Sequence, residues 1–242
     1  MSFSDANDLG DEIKRGMEDL IVDTTSVSYV DGQRGKLYYR GIDIAELATH
    51  GTFEETAFLL LTGSLPNHNS LKIFEWSLRN MSKTKEKLVR MIKELPQNSH
   101  PLSVLQLGTA ALSCLDRSDT HIMQDNYFET VIRIIAQTPV ILAAAYRNYL
   151  GLPFLEPRTD LNFVDNFMYM IFGKIPSKLH SRCIEIAFII QMDHGFNSST
   201  FTARSVASTL TNFYSAVSGA VGALSGPLHG GASEFVMEMI KE

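Results

Sequence analysis

Cysteine is almost missing from this chain of 242 residues, which carries only Cys114 and Cys183. Two cysteines build no disulfide framework, and such sparing use suits a reducing compartment. An excess of basic charge is missing as well. Lys and Arg number 21 against 27 Asp and Glu, a formal net charge of −6 with the seven histidines neutral. A broad basic footprint for nucleic acid is therefore not expected, although a local basic pocket for a phosphorylated cofactor stays open. Long apolar runs do not occur: "PVILAAAY" is too short for a membrane span, and Glu185 interrupts "CIEIAFII". The first residues, "MSFSDANDLGDEIKRG", are polar and acidic, without the apolar core of a secretory signal. These absences lead to the expectation of a soluble, cytoplasmic protein with neither nucleic acid nor membrane as partner.

Several chemical motifs are also absent. His50, His68, His100, His121 and His180 form no HExxH or Cys/His pattern, so no metal is expected. Neither GxGxxG nor GxxxxGK[ST] occurs, and "SGAVGALSG" follows no strand, which leaves no phosphate-cradling loop of those kinds. A GxSxG nucleophile elbow is missing. The basic run "SKTKEKLVRMIK" reads as a solvated helix face.

What is present is an ordinary globular composition, 45% apolar and 20% charged, long enough to bury a substantial core. Without repeats or a long linker, residues 1–242 read as a single domain. "LIVDTTSVSYVDGQRGKLYYRG" alternates β-branched and aromatic residues with polar ones, and Asp31-Gly32 suits the positive φ angles of a tight hairpin. Beyond it the periodicity is helical. Asp43 caps "IAELA", Thr52 and Glu55 form a capping box ahead of "FEETAFLLLT", Gly63 ends that helix, and Ser70 opens "LKIFEWSLRNMSK". Further helices are expected at "KEKLVRMIKEL", "LSVLQLGTAALSCL", "YFETVIRIIAQTPVILAAAYRNYL", "FVDNFMYMIFG" and "KLHSRCIEIAFIIQMD", with Pro139 kinking or dividing the longest. The fold class is mainly α with a small β hairpin near the N-terminus.

"SVASTLTNFYSAVSGAVGAL" reads as one helix with an apolar stripe of Val206, Leu210, Phe213, Val217, Val221 and Leu224. A second row, Ser215, Gly219 and Ala223, has almost no side-chain volume. Glycine inside a helix costs about 1 kcal/mol relative to alanine. Gly219 and Gly222 therefore imply close approach of another helix, within the chain or across a dimer.

Two histidines sit at breaks between strong helices, each followed by glycine: His194 in "QMDHGFNSSTFTAR" and His229 in "GPLHGGASE". A lone loop histidine is usually a solvated bystander; the pair is more informative. Gly230 and Gly231 would let a ligand approach His229. The amides that follow would open a helix at "SEFVMEMIKE", whose dipole favours negative charge nearby and disfavours imidazolium. A neutral imidazole can donate a hydrogen bond to an oxygen that becomes enolate-like. Carbanion chemistry or anion binding follows from the residues alone.

Four segments, "KLYYRGIDIAELA", "FEETAFLLLTGSLP", "DHGFNSSTFTARSVAST" and "AVGALSGPLHGGASE", appear in the order and spacing of the citrate synthase family, whose shorter archaeal and bacterial type the chain resembles. The resemblance implies the mainly α, multi-helix large domain of a homodimer. It implies condensation of acetyl-CoA with oxaloacetate to give citrate and CoA, with no cofactor beyond acetyl-CoA as substrate. It places the catalytic thioester-oxygen donor on His229 and an oxaloacetate-binding histidine on His194. Asn197 and Ser199 fall on supporting positions, with Ser199 as partner of His229. Two positions depart from the family, Gly195 where Glu is usual and Ser233 where Asn is usual. The small domain, with its "GxGHR" histidine, aspartate base and substrate-clamping arginines, has no counterpart here. The expectation is an incomplete large domain, severely impaired alone, with a second chain as a further implied partner. Two alternatives stay open: 2-methylcitrate synthase-type acyl specificity, and a noncatalytic helical dimerisation module.

Overall fold

The computed structural model describes residues 22–116 and 127–230, together with Met17 and Met239. The first sheet among the described residues is three-stranded and antiparallel, of order β1-β2-β3: β1 Ser28–Asp31, β2 Lys36–Tyr39 and β3 Ile42–Asp43. Ser28 pairs with Tyr39 and Asp31 with Lys36, so four residues make the first turn. The positive φ falls on Gly35, at +62°, and not on Asp31-Gly32 as the dipeptide suggested. Asp31 acts through its side chain instead: Oδ1 accepts from the Arg34 amide at 3.0 Å, which shapes the turn from within.

Ten helices follow among the described residues: α1 Ile44–His50, α2 Phe53–Thr62, α3 His68–Met81, α4 Glu86–Glu94, α5 Pro101–Leu115, α6 Tyr127–Tyr149, α7 Phe163–Phe172, α8 Lys178–Ile190, α9 Ser198–Ala207 and α10 Phe213–Leu224. Most of their starts follow from capping chemistry. Asp43 accepts from the Ala45 amide, the Thr52/Glu55 box closes on itself, and Gly63 ends α2 at φ +92°. α3 begins two residues ahead of the expected Ser70. Asn67 is the cap, and its side chain accepts from the Ser70 amide at 2.9 Å.

α6 is the axis of the core. It packs against α3, α4, α5 and α7 and buries Ile134, Ala136, Val140, Ile141, Ala144 and Ala145. Pro139 lies inside it without dividing it. By length and apolar content α6 would reach across a bilayer, but 61% of that apolar stretch is covered by the protein's own elements. Packing against α6 is close at Gly108 of α5, where an added Cβ would lie 2.8 Å from Ile141 Cγ2.

The helix expected over "SVASTLTNFYSAVSGAVGAL" is two helices. α9 ends at Ala207, Leu210 takes φ +62° and is exposed, and Asn212 starts α10 by accepting from the Ser215 amide at 2.8 Å. A capping asparagine competes with continuation of the helix, and here it wins over the apolar periodicity. α9 and α10 pack on each other, and α10 packs on α5. The helical glycines face those partners inside the chain: a Cβ on Gly219 would meet Val206 Cγ2 at 3.3 Å, and one on Gly222 would meet Gln106 Nε2 at 2.6 Å.

One ion pair on α8 joins three helices. Arg182 and Glu185 lie 2.6 Å apart. Arg182 donates to the carbonyls of Thr49, in the last turn of α1, and of Gly51, just past it, and Glu185 accepts from the Phe53 amide at the start of α2. The charge that interrupts the apolar run of α8 thus satisfies helix-end groups that would otherwise lack partners.

Glu54 is buried on α2 and accepts from the Phe163 amide at the start of α7, at 3.0 Å. Burial raises its pKa above the usual carboxylate value, and the charges of Glu185 and Glu75 add to the rise. Such a carboxyl binds its proton more tightly folded than unfolded. Its contribution to stability is full below the unfolded value and is lost as pH rises through the folded one. Glu54→Gln keeps an acceptor for the Phe163 amide, so a higher melting temperature is expected at pH 7, with the difference closing as the pH is lowered; thermal unfolding across pH measures it. Gly108→Ala improves helix propensity yet drives a methyl into the fully buried Ile141. A net loss of about 1–3 kcal/mol is expected in urea unfolding.

Candidate active site

α8 ends at Ile190, and the chain crosses to α9 through a loop that carries Asp193, His194 and Gly195. Gly195 adopts φ +85°, a left-handed conformation that a side chain at this position would strain. Asp193 is the anchor of the loop. Its Oδ1 accepts from the Gly195 amide at 2.9 Å and from the Ser28 hydroxyl of β1. Its own amide donates to the Tyr39 hydroxyl of β2 at 3.1 Å. Tyr39 is fully buried, and burial pushes its phenol pKa up. The small sheet therefore holds the loop from the side opposite in sequence. On the other flank, Phe196 tilts against Phe201 and lies under the Arg204 guanidinium, 4.9 Å from the ring centre.

His194 is exposed, and its Nε2 lies 2.8 Å from the Ile190 carbonyl at the end of α8. A carbonyl only accepts, so Nε2 carries the proton and donates. The neutral ring then offers Nδ1 as an acceptor. To donate to an oxygen ligand it takes up a second proton or releases Ile190.

Asn197 caps α9. Its Oδ1 accepts from the Thr200 amide at 2.9 Å and from the Ser199 hydroxyl at 2.8 Å. Ser199 in turn lies 2.9 Å from His229 Nε2. His229 is half-buried in the turn after α10, where its amide donates to the Gly226 carbonyl at 3.0 Å. Because α9 and α10 pack together, the first turn of one meets the turn beyond the end of the other. Asn197, Ser199 and His229 are thus brought into one hydrogen-bonded chain. His194 stands on the same loop but bonds to Ile190.

Gly230 has a different role from the one expected. A Cβ there would lie 2.6 Å from both the Leu224 carbonyl oxygen and Leu224 Cδ1. The glycine lets the chain fold back on the end of α10; the space is not open to a ligand. Gly231, Ser233 and the helix expected from residue 233 lie outside the described residues. Among the described residues no three His, Cys, Asp or Glu side chains stand together as a metal site. A cavity of about 360 Å³, lined by Val27, Phe53, Ala57, Ile135, Met192 and Asp193, adjoins the loop.

Ser28, Tyr39 and Asp193 were not singled out as site residues from the sequence. Strand alternation marks Tyr39 as inward-facing, but nothing local marks a partner 154 residues away.

The fold is mainly α, and its two histidine-bearing turns meet at the cap of α9. The comparisons point to one family. A family profile described as "Citrate synthase, C-terminal domain" matches residues 16–242. A 2-methylcitrate synthase from Mycobacterium tuberculosis is 38% identical over 93% of this chain and 57% of its own length. A citrate synthase from Deinococcus radiodurans is 37% identical over 95% of this chain and 61% of its own. The crystal structure of citrate synthase from Thermotoga maritima superposes with a TM-score of 0.82 at 39% identity, covering 95% of this chain and 60% of that one. A ternary complex of the Thermoplasma acidophilum citrate synthase with carboxymethyl coenzyme A and oxaloacetate gives 0.86 at 27% identity, over 92% and 58%. The chain belongs to the citrate synthase family. It spans roughly three-fifths of the length of these relatives.

Tyr39→Phe removes the acceptor of the Asp193 amide and leaves the ring. A loss of about 1 kcal/mol in stability is expected, with faster hydrogen exchange at the Asp193 amide read by NMR.

Proposed function

We propose that this chain carries the oxaloacetate contact and the thioester-oxygen donor of a citrate synthase-type condensation. The reading is supported above all by the His229–Ser199 hydrogen bond, which joins "GPLHGG" to "DHGFNSST". In this reaction a carboxylate base takes a proton from the acetyl methyl group of acetyl-CoA. Negative charge then gathers on the thioester oxygen, where a neutral imidazole at His229 donates a hydrogen bond. The enolate carbon attacks the keto carbon of oxaloacetate, whose oxygens lie against His194. Water then cleaves the citryl thioester to citrate and CoA.

No Gly-His-Arg triplet occurs in the 242 residues, so the reading assigns to this stretch the donor and the oxaloacetate contact but not the proton-abstracting base. It also takes the protein as a cytoplasmic homodimer needing no prosthetic group. Propionyl-CoA is a second candidate thioester, favoured by the likeness to a 2-methylcitrate synthase.

Calorimetric titration of the chain with oxaloacetate is expected to give saturable binding. His194→Ala should weaken it about tenfold, as loss of a hydrogen bond to a charged ligand does. In a chain completed with a segment that supplies the base, CoA release from acetyl-CoA and propionyl-CoA in the presence of oxaloacetate ranks the acyl groups, and His229→Ala should reduce it ~10²–10³-fold. A chain that binds oxaloacetate no better than its His194→Ala variant would be a dimerisation module that kept the fold alone.

A further inference from the structure

Ser199 has one hydroxyl proton and two neighbours able to accept it: Asn197 Oδ1 at 2.8 Å and His229 Nε2 at 2.9 Å. The identity of the Asn197 atom is not free. The Thr200 amide donates to it at 2.9 Å as the cap of α9, which only the carbonyl oxygen satisfies. An oxygen lone pair therefore faces Ser199, and two lone pairs at 2.8 Å would repel unless the hydroxyl proton lies between them. With that proton on the Asn197 side, the Ser199 oxygen accepts from His229, and Nε2 is the protonated nitrogen of the neutral ring. Nδ1, without a partner among the described residues, then holds a lone pair.

The consequence runs against the proposed chemistry in its resting form. Nε2 is occupied by Ser199, so a ligand at the other ring nitrogen meets Nδ1. Nδ1 donates only when Nε2 accepts, and Nε2 accepts only when the Ser199 hydroxyl turns away from Asn197. We propose that the Ser199 hydroxyl is a one-proton switch for the tautomer of His229, and that Asn197, through its helix cap, biases the free chain toward the Nε2–H form. Switching leaves the charge unchanged. The hydroxyl proton rotates from Asn197 to Nε2, the ring proton departs from Nε2 to solvent, and a solvent proton arrives on Nδ1. Asn197 is a positioning residue: it acts on His229 through Ser199. The catalytic meaning of the switch rests on the proposed function; the tautomer itself rests on the three hydrogen bonds alone.

The test is two-bond ¹H–¹⁵N correlation NMR of the ¹⁵N-histidine-labelled chain without ligand, at a pH where the His229 ring is neutral by its own titration. The spectrum reports which ring nitrogen bears the proton. The wild type is expected in the Nε2–H form. Asn197→Gly removes the competing acceptor while glycine remains an acceptable helix cap. The ratio is then expected to move about tenfold toward Nδ1–H, the worth of one hydrogen bond. Asn197→Asp, which keeps an acceptor and a cap, should restore Nε2–H. Asn212→Gly, which removes the equivalent cap of α10, should leave the wild-type pattern. A wild type in the Nδ1–H form, or an Asn197→Gly variant indistinguishable from it, overturns the proposal. Failure to bind oxaloacetate with the tautomer pattern intact overturns the proposed function and leaves the switch standing.

Discussion

Backbone groups at helix ends must find partners, and in this protein side chains from distant elements supply many of them. Arg182 and Glu185 of α8 serve the end of α1 and the start of α2. Glu54 of α2 serves the start of α7. These bonds fix angles between helices and not merely their proximity, because a carbonyl or amide at a helix end points along the axis. The candidate site is a further case of the same constraint. Asn197 meets the need of α9 for a cap and, with the same oxygen, orients the hydroxyl that touches His229. On the proposed function, stability and chemistry share an atom there.

That shared atom is useful only if α10 delivers His229 to the first turn of α9, which small residues permit. Gly219 lets α10 approach Val206 of α9, and Gly222 lets it approach Gln106 of α5. Ser218 adds a bond of 3.0 Å from its hydroxyl to the Gln106 carbonyl. α5 is itself set by Gly108 against Ile141 of the central helix. A path of close contacts therefore runs from the core axis to the imidazole. A bulkier residue along it would displace the turn that carries His229 by a fraction of an ångström, enough to lengthen a 2.9 Å hydrogen bond.

Most helices were legible because periodicity, glycine stops and capping boxes are local signals. Thr52 with Glu55, Asp43 and Gly63 behave as their spacing predicts. Two of the differences share a physical origin. Asn67 and Asn212 are caps that apolar periodicity does not reveal, so that periodicity alone starts α3 late and runs α9 into α10; an apolar stripe persists through a turn that only the cap and a left-handed Leu210 reveal. His194, Asn197, Ser199 and His229 were marked by motif. The ordering among them was half legible: the Ser199–His229 contact followed from resemblance, whereas the bond from His194 to Ile190 depends on how α8 ends. The anchors of the loop, Ser28 and Tyr39, lie more than 150 residues from Asp193. No local pattern encodes such a pairing.

The two histidines differ in a way that only their partners disclose. Each commits Nε2 inward and leaves Nδ1 for whatever enters. The partner of His194 is a backbone carbonyl, which accepts and nothing else, so its neutral tautomer is determined by the end of a helix. The partner of His229 is a hydroxyl, which accepts or donates according to a single torsion. With the first kind of partner the neutral ring presents Nδ1 as an acceptor, and donation to a substrate oxygen requires a second proton or release of Ile190. A residue whose hydrogen bond must strengthen as charge develops gains from the second, because the hydroxyl can follow the proton demand of the ring without moving a heavy atom. On the proposed function, the two roles differ by what lies behind each ring and not by the rings themselves.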